Sequence, residues 1–204
     1  MAYASTARKR GIDPSISRQR VLDATEELIV AGGFAQATVT DIAEKADVSR
    51  ATVFSRFGSK LGILEELSVR CAGGPTMRAI RAAIAMPDPV DAVPAIVEAS
   101  CNHWEVQGHI LLTLQAVSEL ETGAHALVEA QREDQRSSLG TIAKGLEHDG
   151  RLNGLTRAQA TAALHMITSV ESFMELRRNA GLSLPATKKV LVAMATNLFD
   201  LASR

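Results

Sequence analysis

Apolar residues in this chain recur at helical spacing, and glycine or proline ends most of the runs. Val21, Ala24, Thr25, Leu28 and Ile29 fall at i, i+3, i+4, i+7 and i+8, one buried helical stripe, and Gly32-Gly33 closes it. Similar breaks stand at Gly58, Gly73-Gly74-Pro75, Pro87-Asp88-Pro89, Gly108, Gly123, Gly150 to Gly154, and Gly181 with Pro185. Aromatic residues make up 3% of the 204 residues and strand-like alternation is scarce, so a sheet has little to build on. The pattern predicts an all-α fold of about nine helices. A small three-helix unit over about 17–57 comes first, with Ser17 capping its first helix. The fourth helix is broken or kinked near Gly73-Gly74-Pro75. A larger body then carries helices at about 90–105, 108–119, 124–148, 156–179 and 184–202.

Charge is balanced globally and uneven locally. The formal net charge is −1, yet residues 1–22 hold five cations against Asp13 alone, and residues 49–60 hold Arg50, Arg56 and Lys60 with no acid. Such patches on a near-neutral body suit a protein that meets a polyanion with one face. Residues 1–16 read as a mobile basic arm, in which Arg8-Lys9-Arg10 either reaches DNA or merely solubilises the terminus. Cys71 and Cys101 form no CxxC and read as small core residues in a reducing compartment. No apolar run approaches the ~18 residues of a membrane span, and the N-terminus lacks the apolar stretch of a secretory signal; the expectation is a cytoplasmic protein. GxSxG, HExxH, a P-loop and GxGxxG are all missing, so neither an enzyme, a metal site nor a cofactor is expected.

The stretch ADVSRATVFSRFGSK, residues 46–60, joins two phenylalanines to those three cations. Thr38-x-x-Asp41 is a capping-box pattern that opens one short helix, and Ser49 caps another over about 50–57. Asp47 occupies the bend between them. Two short helices across a tight bend, with a third behind, make a helix-turn-helix. Val48, Val53 and Phe57 then face inward. Arg50, Ala51, Thr52, Ser55 and Arg56 remain on the open side, small or basic as a major groove requires. Lys60, just past the helix, suits a phosphate. The plain alternative is a solvated helical hairpin with a few surface cations.

From Ser17 to about Leu67 the chain resembles the DNA-binding domain of the TetR family of bacterial one-component regulators. The resemblance rests on Gly33-Phe34, Thr38, Ile42-Ala43, Val48-Ser49, Thr52, the Phe54 to Phe57 step, Lys60 and Leu64 within GGFAQATVTDIAEKADVSRATVFSRFGSKLGILEEL. It implies a helix-turn-helix domain over 17–60 and a ligand-binding and dimerisation domain over 61–204. Ser49, Arg50, Ala51, Thr52, Ser55 and Arg56 would face DNA, Thr38 and Thr40 would stand near phosphate, and Lys60 would bind phosphate. The family usually has glycine where Asp47 stands and tyrosine where Phe54 stands. Phe54 cannot donate a hydrogen bond to phosphate, so it is expected to pack on sugar.

The last helices offer a pairing surface. Leu191, Met194, Leu198 and Leu201 are spaced as the seam of a helix pair, and Ala162, Met166, Val170 and Met174 continue it on the preceding helix. These stripes either stay within one chain or pair two; the resemblance implies a homodimer built on a four-helix bundle. Two sets of polar groups on apolar faces are candidate ligand anchors. The first is Cys101, His103, Trp104, Leu111, Leu112, Gln115 and Glu119; the second is His165, Ser169 and Phe173. Each polar member could equally be a satisfied core residue. The expected function is a homodimeric repressor on a pseudo-palindromic DNA operator, released by a small apolar or amphipathic effector. Two rivals stay open: the same scaffold acting as activator or answering to a protein, and a helical module or enzyme unrelated to DNA. A hollow of a few hundred Å3 in the body would favour the first reading.

Overall fold

Residues 14–118 and 122–201 are described by the computed structural model, so the arm triad Arg8-Lys9-Arg10 and the candidate Glu119 lie outside the described residues. Among the described residues the chain forms ten α-helices and one π-helical turn, with no strand. The polypeptide divides into two compact units, the first ending at Glu66 and the second beginning at Leu67.

In the first unit, α1 (Pro14–Val30), α2 (Val39–Lys45) and α3 (Arg50–Phe57) pack against one another. Their shared core is Val21, Leu22, Phe34, Ile42 and Val53, each at most 3% exposed. Removing such side chains from water supplies most of a small unit's stability. Ser17 does not cap α1: the helix already runs from Pro14, and Ser17 is buried within it. The opening half of α4 (Lys60–Gly73) completes this unit, and Ile63 and Leu64 are fully buried. A Cβ on Gly62 would run into the carbonyl oxygen of Phe57, so only glycine fits where α4 leaves α3.

The second unit continues α4 and adds α5 (Pro75–Ile84), α6 (Pro89–Ser118) and α7 (Thr122–His148). After these come α8 (Arg157–Thr168), α9 (Val170–Met174), the π turn Glu175–Asn179 and α10 (Leu184–Leu198). The fourth helix is broken rather than kinked: Gly74 stands between α4 and α5, with Pro75 opening the new helix. α6 packs against α5, α7, α8, α9 and α10 and is the axis of the unit. Leu139, Leu146, Leu164, Phe173 and Phe199 are fully buried around it.

Further helix boundaries also differ from the sequence reading. Gly108 does not interrupt α6. It lies at a crossing, where an added Cβ would come within 2.6 Å of Met174 Cε and 3.3 Å of Val170 Cγ2. The helix expected over 156–179 is cut at Ser169, whose extended backbone ends α8 and whose Oγ accepts from Ser172 N at 3.1 Å to start α9. The break leaves the Thr168 carbonyl without its helical partner, and Trp104 Nε1 donates to it at 2.8 Å. The last helix ends at Leu198, not near 202, and the chain turns at Asp200 with φ 47°.

Candidate nucleic-acid interface and ligand cavity

The bend between α2 and α3 is built locally. Thr38 Oγ1 accepts from Asp41 N at 3.2 Å while Asp41 accepts from Thr38 N at 2.7 Å, a reciprocal capping box. The Thr38 N–H, and with it the Thr38 hydroxyl, donate to the Asp41 carboxyl and hold it below the usual carboxylate range. Asp47 takes φ 53°, the left-handed geometry that a bend requires and that Asp tolerates better than most residues. Arg20 and Lys45 pair with Asp47 and Glu27 at 3.3 and 2.7 Å, exposed contacts of small energetic weight.

α3 shows two chemically distinct sides. Val53 and Phe57 are 1% and 8% exposed, and lock its back. Arg50, Ala51, Phe54, Ser55 and Arg56 are exposed, with Thr52 half-buried beside them. The hydroxyls are partly committed: Ser49 Oγ caps α3 by accepting from Thr52 N at 3.0 Å, and Ser55 Oγ donates to the Thr52 carbonyl at 3.0 Å. The Thr38 hydroxyl is likewise occupied by Asp41 at 2.8 Å, whereas Thr40 is exposed. Arg50 lays its guanidinium over the Phe54 ring, 5.2 Å from its centre. Lys60 Nζ donates to the Ala35 carbonyl at 3.1 Å and sits 4.3 Å above the Phe34 ring, so it is anchored at the start of α4.

The second unit holds a cavity of about 430 Å3, within the range of small-molecule sites. Of the residues considered as ligand anchors, His103, Trp104, Leu111, Gln115, His165 and Ser169 line it. Cys101 and Phe173 do not: both are 1% exposed and belong to the packed core, where burial pushes the Cys101 thiol up to about 11. Leu112 is also absent from the lining. Sequence reading missed α7, which contributes Gln131, Arg132, Gln135 and Ser138. Gln131, Gln135 and Ser138 fall at i, i+4 and i+7, a polar stripe that could have signalled a wet wall.

Burial holds His103 down to about 4, and its Nδ1 shares a 2.8 Å hydrogen bond with Thr76 Oγ1. The ring is therefore neutral at pH 7. An unfolded histidine binds a proton below about 6.5, so between pH 6.5 and 4 the unfolded chain takes up more protons than the folded one. Stability should be full above pH 6.5 and fall by about 3 kcal/mol as pH drops to 4. Thermal denaturation across that window checks this, and His103→Gln should flatten the slope.

The proposed pairing surface is corrected in part. Val170, Leu191 and Leu201 are 2%, 2% and 8% exposed, spent inside the chain's own core, and Leu201 lies past the end of α10. Met174 and Leu198 are half-buried against the same core. Met166 and Met194 are 55% and 45% exposed, and Ala162 is exposed as well.

Residues 21–67 match the family model of bacterial regulatory proteins, tetR family. A 51-residue segment is 45% identical to the HTH-type transcriptional regulator YvkB of Bacillus subtilis, covering 25% of this chain and 27% of that protein. A 119-residue segment is 32% identical to the regulator BetI of Stenotrophomonas maltophilia, covering 54% of this chain and 58% of BetI. The chain thus spans between about a quarter and three fifths of the length of these two relatives. The fold also matches the crystal structure of NalD, the secondary repressor of the MexAB-OprM efflux pump in Pseudomonas aeruginosa. The TM-score is 0.74 at 22% identity, over 91% of this chain and 98% of NalD. Residues 21–67 therefore carry a regulatory domain of the tetR-family type, and the chain as a whole shares the fold of NalD.

Proposed function

We propose that the protein is a ligand-responsive repressor that binds a pseudo-palindromic operator as a homodimer in the cytoplasm, without catalytic activity. The observation that carries the DNA-binding half is α3: a cationic open side with Arg50 and Arg56, held by Val53 and Phe57 behind it. Arg50 can fork onto guanine O6 and N7, and the Thr52 methyl can meet a thymine methyl. Lys60 and Thr40 set the register on phosphates. Repression by NalD, which shares the fold, supports the sign of regulation.

The cavity of about 430 Å3 supports a small-molecule effector over a protein signal. Ser68, Cys71 and Ala72 of α4 line it, and α4 begins directly after the recognition helix. A ligand that prefers one setting of α4 shifts the separation of the two recognition helices away from the ~34–36 Å of one DNA turn and weakens binding.

A gel-shift of the purified protein on the promoter region of its own gene tests the reading. A specific complex at low salt is expected; indifference to duplex would overturn it. Arg50→Ala should cost about 1–3 kcal/mol on the operator and relax base preference. Lys60→Ala should weaken all duplexes alike and flatten the salt dependence. Uniform loss with Arg50→Ala would remove its reading role.

A further inference from the structure

Four charged residues border the cavity, and their charges cancel: Arg81 and Arg132 against Asp134 and Glu171. Three are already engaged. Arg81 donates to the Ala72 carbonyl at 2.9 Å, Arg132 to Glu129 at 2.9 Å, and Gln115 donates to Glu171 at 2.9 Å. Asp134 is exposed to solvent, and His103 is neutral. Arg132 is ion-paired to Glu129, while Arg81 and Glu171 each already hold a hydrogen bond, so an ionised ligand would shed its hydration for partners of both signs that are partly spent. The wall also offers neutral hydrogen-bonding groups, among them Gln107, Gln131 and Gln135, together with the apolar Ile80, Ile110 and Leu111.

Two features locate the polar end. Gln135 Nε2 reaches Thr168 Oγ1 at 3.4 Å, a long contact that a better partner can replace, since Thr168 Oγ1 itself donates to the Leu164 carbonyl at 2.8 Å. His165, one turn before Ser169 on the same wall, has a buried Nε2 with no hydrogen-bond partner. Buried polar atoms are almost always matched, so this end of the cavity is short of hydrogen bonds.

We propose that the effector carries an uncharged hydrogen-bonding head group, such as an alcohol, phenol or amide, on an apolar body, and that Gln135 holds this head beside His165. The inference rests on the cavity being the effector site. Trp104 lines the cavity and is the only tryptophan of the chain, so its emission reports occupancy directly.

The test uses the full chain with three probes of equal tail length: 1-decanol, decanoate and decyltrimethylammonium. Decanol should shift Trp104 emission and bind at least about tenfold tighter than either ion. Gln135→Leu should weaken decanol by about tenfold. Gln135→Lys, which places a cation at the head position, should reverse the order in favour of decanoate. Circular dichroism establishes that both variants are folded. An ion that binds as well as decanol overturns the head-group assignment and leaves the effector reading standing. Unchanged selectivity in both variants overturns the role of Gln135. Decanol binding without release of operator duplex upholds the head-group assignment and overturns the effector reading. Emission unmoved by all three probes overturns both.

Discussion

Phe57→Ala should destabilise the DNA-binding unit by about 3–5 kcal/mol, while Phe54→Ala, three residues away on the same helix, should cost under about 1 kcal/mol. The two rings differ in burial: Phe57 is 8% exposed and Phe54 is 44% exposed. Truncating Phe57 removes apolar area and leaves a cavity behind α3, beside Val53 and the turn into α4 that Gly62 makes possible. A unit with a core this small has little stability in reserve. Phe54 touches the Arg50 guanidinium 5.2 Å from its ring centre, so its loss should appear in operator affinity rather than in melting. Chemical denaturation followed by far-UV circular dichroism, beside gel-shifts of both variants, measures the contrast. Equal destabilisation by the two substitutions would mean that α3 does not present these two sides.

That contrast is legible in the sequence, because what sets it is local. The Thr38/Asp41 capping box, the Ser49 cap and the left-handed Asp47 each depend on side chains within three or four residues of one another. Where the sequence misled, the deciding contact came from afar. Gly108 is a helix breaker by habit, yet here it admits Met174 and Val170 from another helix, more than sixty positions along the chain. Ser169 carries no glycine or proline to announce a break. The freed Thr168 carbonyl is accommodated because Trp104, on α6, donates to it. A serine followed by Glu171 in the next first turn was the local hint. The cavity was half legible for the same reason. His103, Trp104 and Gln115 stand out on an apolar α6, whereas Gln131 and Gln135 sit on a polar helix, where a wet wall and a solvent face look alike.

The double substitution Met166→Glu and Met194→Glu should convert a dimer to a monomer in sedimentation and weaken operator binding by about 10²–10⁴-fold. The size follows from linkage: a dimer makes the second half-site contact intramolecular, and a monomer forfeits that effective concentration. These two positions are chosen because α8 and α10 pack together, yet both methionines keep roughly half their surface outside the chain's own core, at 55% and 45%. An exposed thioether side chain on each of two adjacent helices is costly to leave in water and adaptable as a contact. A carboxylate pair brought to the same place on each of two subunits would have to be desolvated beside its symmetry mates. The folded monomer should tolerate the change, with melting nearly unaltered. Leu191→Ala supplies the opposite signature, because Leu191 is 2% exposed inside the chain: it should lower stability by about 2–5 kcal/mol and leave any folded protein dimeric. If the methionine variant keeps the mass of the unsubstituted protein, Met166 and Met194 do not form the proposed pairing surface.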